Sequence, residues 1–160
     1  MARVNRDPEG GVRWLTDEEQ GVWRAYLDVS RLLNDRLQRQ LAEESDLSLA
    51  EYEILVQLSE APDHKLRMSD LAARVVNSRS RLTHTVSRLE KRGLVGRRSC
   101  PDDGRGVLCL LTESGLSILE QAAPGHVRAV RQVLFDLLTT GEVRELGTVM
   151  DKVRTRLREL

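Results

Sequence analysis

The segment from Ser69 to Arg105 constrains the fold of this 160-residue chain more than any other stretch. Its pattern predicts a short helix from Ser69 to Val75, a turn, a basic helix from Arg79 to Arg92 and then two strands. Gly93 directly follows the basic helix, as is typical of a helix C-terminus. Residues 101–105 supply the proline, aspartates and glycine of a tight turn between the strands. This order predicts a helix-turn-helix followed by a β-hairpin.

The basic helix has one apolar face and one face without carboxylates. At about 100° per residue, Leu82, Val86 and Leu89 fall within a narrow arc that should be buried. The other side carries small hydroxyls, an imidazole and cations, from Ser80, His84, Ser87, Arg88 and Lys91, with Arg81 and Thr83 at its flanks. Surface helices normally mix charges of both signs. A face without anions before Glu90 indicates a polyanionic partner such as the DNA backbone.

The net charge of the whole chain is zero, which by itself argues against a nucleic-acid partner. However, residues 74–105 contain nine basic and three acidic side chains, so this segment carries +6 and the remainder −6. A neutral protein with one concentrated basic segment has a directed electrostatic surface. Charge alone would also fit an ordinary solvated helix face, and that alternative stays open at this point.

The predicted helix-turn-helix assigns roles to individual side chains. Its second helix should enter the major groove, where we expect Ser80, Arg81 and His84 to contact base edges. We expect phosphate contacts from Ser69, Thr83, Ser87, Arg88 and Lys91. Further DNA-binding residues, without an assigned role, are Ser78, Arg79, Arg97 and Arg98. Arg105 at the loop suits a narrow minor groove. Asp103 is best explained as a brace that pairs with Arg97 or Arg98.

The rest of the chain is dominated by amphipathic helices. Residues 1–13 are polar and are expected to form a flexible tail. Capping signals then predict helix starts at Thr16 with Glu19, Ser48 with Glu51, Ser69, Thr112, and Thr139 with Glu142. Residues 64–68 are predicted to be an extended link. Pro124 and Gly125 should kink or divide the fifth helix.

The first and last helices carry long apolar stripes with little else in the sequence to bury them. That pattern predicts a subunit interface. The first stripe contains Trp23 and Tyr26, for which core or subunit contact is favoured over a ligand-stacking wall.

Several other classes of protein are disfavoured. No apolar run approaches the ~18–20 residues of a spanning helix, and the N-terminus lacks the apolar region of a signal peptide, so a cytoplasmic location is expected. No histidine and cysteine spacing fits a zinc site, and no nucleophile and base can be paired, so we expect no enzyme, metal or cofactor. Cys100 and Cys109 flank the loop and could lie diagonally on one sheet face. Small half-buried strand residues are favoured over a redox pair.

From Trp14 onward the chain resembles the multiple-antibiotic-resistance regulator (MarR) family of winged-helix proteins. The resemblance is carried by residues 71–74, 78–83 and 89–95, by Asp103-Gly104-Arg105-Gly106, and by Leu111-Thr112-Glu113-Ser114-Gly115. Val76 departs from the pattern, because many helix-turn-helix turns have glycine there. The resemblance implies a mainly α fold with a small β-hairpin, in one domain over residues 14–160. Residues 48–111 would form the winged helix-turn-helix, and residues 14–44 and 112–160 the dimerisation helices.

The resemblance also implies a function. Such a chain would be a homodimeric transcriptional repressor that binds a palindromic operator on double-stranded DNA and is released by a small aromatic or anionic effector. The nearest candidates for the effector pocket are Trp23 and Tyr26. Two alternatives remain open at this stage, namely a winged-helix module that binds protein instead of DNA, and a redox sensor that uses Cys100 and Cys109.

Overall fold

The computed structural model describes residues 12–75, 79–100 and 103–160, and within these ranges not the side chains of Arg79, Asp103 and Arg105. The helices are α1 (Asp17–Ser45), α2 (Leu49–Ser59), α3 (Met68–Arg74), α4 (Arg79–Lys91), α5 (Glu113–Val133) and α6 (Thr140–Arg158), and the strands are β1 (Lys65–Arg67), β2 (Val95–Cys100) and β3 (Asp103–Leu111). Short 3-10 turns cover Pro62–His64 and Phe135–Leu137. The predicted tail up to residue 11, the turn with Val76 and Ser78, and the tip of the loop lie outside the described residues.

The chain divides into two units after Asp35, and α1 runs from the first unit into the second. The predicted capping box at the start of α1 is confirmed. The Thr16 hydroxyl accepts a hydrogen bond from the Glu19 N–H at 3.1 Å, and the Glu19 carboxylate accepts one from the Thr16 N–H at 2.7 Å. These hydrogen bonds lower the pKa of Glu19, chiefly through the Thr16 backbone.

The core of the second unit lies between α2, α3, α4, the sheet and the C-terminal part of α1. Leu41, Leu55, Leu71, Leu89 and Cys109 are all completely buried there. Packing of this kind explains why the winged-helix region forms a stable lobe although its helices are short.

Two further capping boxes are confirmed and one predicted cap is wrong. Ser48 and Glu51 cap α2, and Thr139 and Glu142 cap α6. Ser69 does not cap α3, because β1 runs directly into this helix and places its first residue at Met68. The Ser69 hydroxyl instead donates to the Asp70 carboxylate at 3.2 Å.

The sheet has three strands, where the sequence predicted a two-stranded hairpin. All neighbours are antiparallel in the order β1-β3-β2, and Leu66 of β1 pairs with Cys109 of β3. The predicted extended link therefore contains the additional strand, β1. A strand of three residues is too short to show an alternating pattern of apolar and polar side chains. Strand β3 also begins at Asp103, earlier than the predicted start at Gly106.

Two glycines join α4, the sheet and α5. Gly93 has φ of +72°, so it ends α4 in the left-handed conformation expected from the sequence. The Thr112 hydroxyl donates to the Gly93 carbonyl at 2.8 Å and accepts from the Gly115 N–H at 3.0 Å, which confirms Thr112 as the cap of α5. A Cβ at Gly115 would overlap the Leu94 carbonyl oxygen, so α5 can start this close to the sheet only with glycine there.

Helices α5 and α6 complete the second unit. Helix α5 is not divided at Pro124, since it continues unbroken to Val133 and buries Ala122, Gly125 and Ala129 on both sides of the proline. Helix α6 follows the turn at Phe135–Leu137 and contains no buried residue. None of the described helices is both long enough and apolar enough to cross a membrane.

Candidate nucleic-acid interface

Helix α4 presents its two faces as the sequence predicted. Leu82, Val86 and Leu89 are buried, with at most 2% of each side chain exposed. Among the predicted contact residues of α4 whose side chains are described, Ser87 is partly buried and the others are exposed, namely Ser80, Arg81, Thr83, His84, Arg88 and Lys91. The apolar face therefore fixes the helix to the lobe and directs the anion-free face to solvent.

Helix α3 supports α4 and leaves a cleft beside it. Leu71 anchors α3 in the core, while Ser69 at its start is exposed. Between the two helices lies a cleft of about 260 Å³ lined by Met68, Ser69, Ala72, Leu82 and Thr83. Ser69 and Thr83 thus line the same concave surface, and their contact with phosphates stays a prediction.

Arg88 has an internal partner that the sequence did not reveal. Its Nη2 lies 3.2 Å from Oε1 of Glu51, and the Glu51 carboxylate is completely buried. Arg92, just after α4, lies 3.8 Å from the same oxygen. Ion pairs therefore connect the C-terminal end of α4 to the start of α2.

Arg97 pairs with Glu90, a partner that was not named from the sequence, and the predicted brace from Asp103 to Arg97 or Arg98 stays a prediction. The Arg97 Nε–H donates to Glu90 Oε2 at 2.9 Å, which joins the end of α4 to β2. This hydrogen bond lowers the pKa of Glu90 and raises that of Arg97. The pairing explains why an anion is tolerated here, because Glu90 neutralises a strand arginine.

The remaining predicted contact residues lie in the hairpin and at or just before the start of α4. Arg98 is exposed on β2, next to Arg97. The side chains of Arg79, Asp103 and Arg105, and the whole of Ser78, lie outside the described residues. Their assignment to DNA contact stays a prediction from the sequence.

The two cysteines do not form a cross-strand pair. Both are buried free thiols, and the register places Arg97 opposite Cys109 and Asp103 opposite Cys100. Three strand positions correspond to about 10 Å, beyond the roughly 7 Å limit for a disulfide. Burial also raises the pKa of Cys109 to about 11, so little reactive thiolate is present at neutral pH. This geometry argues against the redox alternative.

Trp23 and Tyr26 stack on each other within the first unit. Their ring centroids are 5.7 Å apart at an interplanar angle of 19°, and about half of each side chain is exposed. They therefore form an exposed aromatic surface, which fits both the favoured subunit contact and the alternative of ligand stacking.

A polar cluster in the second unit was missed from the sequence. The ring centroids of Tyr52 and His126 lie 4.4 Å apart. Gln40 is only 2% exposed, and its side-chain amide donates a hydrogen bond to the Glu44 carboxylate at 2.9 Å. Gly125, next to His126, approaches both Gln40 and Glu44. Gln40 Oε1 and His126 Nδ1 are buried without a hydrogen-bond partner among the described residues. Three helices contribute to this cluster, which is why no single sequence pattern signals it.

No group of three or more metal-binding side chains lies together in the part of the chain that the structure describes. The charged and polar groups of this region are instead arranged on α4 and β2, with carboxylates beneath or beside the arginines. Such a surface can bind an extended anion by hydrogen bonds and ion pairs.

Comparisons with known proteins identify the family. A model of the MarR family matches residues 47–107. The transcriptional repressor YetL of Bacillus subtilis (strain 168) is 32% identical over 113 residues, which are 71% of this chain and 67% of YetL. The transcriptional repressor MprA of Escherichia coli (strain K12) is 30% identical over 106 residues, which are 66% of this chain and 60% of MprA.

Solved structures agree along most of the chain. Sco3205, a MarR family transcriptional regulator from Streptomyces coelicolor solved in complex with DNA, is 48% identical with a TM-score of 0.86 and covers 89% of this chain and 90% of its own. AbsC, a MarR family regulator from the same organism, is 42% identical with a TM-score of 0.87 and covers 93% of this chain and all of its own. The chain therefore belongs to the MarR family of winged-helix transcriptional regulators, which are DNA-binding proteins and not enzymes.

Proposed function

We propose that this protein is a repressor that binds a palindromic operator as a homodimer and is released by a small effector. The anion-free, exposed face of α4 carries the proposal, because it matches a polyanion in the position where a helix-turn-helix reads DNA. The relative Sco3205, solved with DNA, supports the same partner for this chain. A regulator of DNA is also expected to work in the cytoplasm.

The proposed contacts fall into two groups. Ser80, Arg81 and His84 read bases, and Arg81 contributes about 1–3 kcal/mol of discrimination if it pairs with a guanine. Hydroxyl and basic groups hold the phosphates, and these are Ser69, Ser78, Arg79, Thr83, Ser87, Arg88, Lys91 and Arg98. Arg97 braces the wing through Glu90, and Arg105 enters the minor groove.

The homodimer is proposed from apolar surface that the chain itself leaves exposed. In the second unit, Met150, Val153 and Leu157 of α6 are each 45–67% exposed, at helical spacing on one stripe. In the first unit, Val22 and Trp23 of α1 are also at least half exposed. Surface of this kind is stabilised by an equivalent copy across a two-fold axis. Two recognition helices on one DNA face would then lie roughly 34 Å apart.

The proposed effector is a small aromatic or anionic molecule. Within the first unit the Trp23 and Tyr26 stack offers an aromatic surface. Within the second unit, His126 and Gln40 each hold a buried polar atom without a partner among the described residues, beside the Tyr52 ring. An effector releases DNA only if it binds the two states of the dimer unequally.

Electrophoretic retardation of the promoter DNA beside the protein's own gene tests the proposal. The wild type should retard this DNA at nanomolar to low micromolar dimer, and Arg81→Ala should lose specific binding. Lys152→Ala on α6 is the matched control, since it removes one cation far from α4 in sequence. No retardation by the wild type at micromolar concentration, with correctly folded protein, would favour a protein-binding module instead.

The wing has its own test. Arg105→Ala should weaken operator binding and reduce the slope of log affinity against log salt by about one per protomer. Unchanged affinity at several salt concentrations would remove Arg105 from the proposed contacts.

A further inference from the structure

Glu51 is a buried carboxylate at the first turn of α2, and its two oxygens have different partners. Oε2 closes the capping box, where it accepts hydrogen bonds from the Ser48 N–H at 2.8 Å and the Ser48 hydroxyl at 2.7 Å. Oε1 accepts no aligned hydrogen bond among the described residues and instead faces Arg88 and Arg92. The capping box therefore uses only one of the two carboxylate oxygens.

The two arginines differ in how firmly they are held. Arg92 is 30% exposed and has further partners, since it donates to the Asp46 carbonyl at 2.9 Å and lies 3.5 Å from the Asp46 carboxylate. Arg88 is 56% exposed, and Glu51 is its one ion-pair partner among the described residues. Removal of the Glu51 charge should therefore release Arg88 more than Arg92.

Arg88 also lies on the stripe of α4 that is proposed to face DNA. It follows Arg81 by seven residues and His84 by four, and it precedes Lys91 by three, so these side chains lie on one side of the helix. A guanidinium has five N–H donors, and the approach of Nη2 to Glu51 leaves others directed away from the carboxylate. One side chain can therefore contact a buried anion and an external phosphate together.

We propose that Glu51 is a positioning residue for DNA binding, which acts by holding the Arg88 guanidinium in the orientation that contacts a backbone phosphate. The inference rests on the proposed function and adds a residue that does not itself contact DNA. A free arginine loses rotamer entropy when it binds phosphate, whereas an arginine already fixed by a carboxylate loses less. Burial of Glu51 strengthens its attraction to Arg88, because solvent and salt screen a partly buried ion pair less than an exposed one.

A double-mutant cycle of Glu51→Gln and Arg88→Met tests the proposal. Glutamine can still close a capping box, and methionine keeps the aliphatic packing of Arg88 without its charge. Affinity is measured by fluorescence anisotropy on the promoter fragment that the wild type retards, at several salt concentrations. Thermal unfolding of each variant confirms the fold.

We expect Glu51→Gln to weaken binding about five- to tenfold and Arg88→Met about tenfold or more, as for the loss of one charge-assisted contact. Arg88→Met should also reduce the salt slope by about one per protomer. The double variant should bind like Arg88→Met alone, because Glu51 has nothing left to orient.

Two outcomes would overturn the inference. One is a Glu51→Gln effect that persists undiminished in the Arg88→Met background, which would show that Glu51 acts through folding or Arg92. The other is an unchanged salt slope in Arg88→Met, which decides the question even if Glu51→Gln does not fold. Arg81→Ala measured in parallel separates this failure from failure of the proposed function, since it should weaken binding in either case.

Discussion

Helices α4 and α6 are both amphipathic, but only α4 has its apolar face covered within the described chain. Leu82, Val86 and Leu89 of α4 are buried, whereas Met150 and Val153 of α6 are about half exposed. The contrast teaches that amphipathic pattern alone does not say where the partner surface comes from. In α4 it comes from the same lobe, and for α6 we propose that it comes from a second copy.

The largest expected effect is the loss of the dimer when charge enters the α6 stripe. Met150→Glu combined with Val153→Glu should give monomers and reduce operator affinity at least 100-fold, because like charges would face each other across the two-fold axis. Analytical ultracentrifugation and anisotropy measure the two effects. Lys152→Glu, on the polar side of α6, is the control. A double variant that stays dimeric would show that the α6 stripe serves another purpose.

The next prediction is that leucine substitutions in α4 and α6 differ in how their effect on stability depends on protein concentration. Leu89→Ala in α4 should lower the free energy of unfolding by about 2–5 kcal/mol at every protein concentration. Leu157→Ala in α6 should lower the melting temperature mainly at low concentration, where the dimer dissociates. Thermal unfolding at several concentrations makes the comparison, and parallel behaviour of the two variants would contradict the proposed contrast.

Substitution of two glycines by alanine should change the stability by smaller amounts and in opposite directions. Gly115→Ala should destabilise by about 1–3 kcal/mol, because the new methyl group overlaps the Leu94 carbonyl at the lobe junction. Gly147→Ala in α6 meets nothing within 4 Å and should stabilise by up to about 1 kcal/mol through helix propensity. Chemical denaturation measures both, and a stabilising Gly115→Ala would refute the close approach.

The smallest effect is a pH dependence confined to the lobe. Burial lowers the pKa of His126 from its usual 6.5, so the folded protein keeps it neutral where the unfolded chain is protonated. Stability should therefore fall as the pH drops below about 6.5, until the pH passes the lower pKa of the folded state. The titratable groups that face this site are Tyr52, which packs against the His126 ring, and Glu44, which lies beside Gly125.

His126→Gln provides the comparison for this effect. The variant should lose less stability than the wild type between pH 7.5 and 5, as measured by urea unfolding. Identical pH profiles of the two proteins would show that His126 does not contribute.

The sequence predicted those features whose signal is local. The faces of α4 follow from the spacing of Leu82, Val86 and Leu89, and the end of α4 follows from Gly93. The caps at Ser48 and Thr139 were equally clear, because each needs only residues within one helical turn. The predicted cap at Ser69 was wrong, because a capping pattern cannot show that a strand runs directly into the helix.

The features that the sequence did not predict depend on contacts between distant segments. Strand β1 exists because Leu66 pairs with Cys109 across the sheet, and three residues show no period of their own. The sequence pattern already explained Glu51 as part of a capping box. It therefore gave no reason to expect the additional ion pair between Glu51 and Arg88. The Arg97 and Glu90 pair was missed because the two residues lie on different elements, and only the fold brings β2 beside the end of α4.

Selection of DNA from a random library by the purified wild-type protein tests the central claim most directly. The enriched sequences should form an inverted repeat with half-sites about 10 base pairs apart, centre to centre, since two copies of α4 would read one face of the duplex. Enrichment of no sequence above the starting library, by folded protein at moderate salt, would contradict the account.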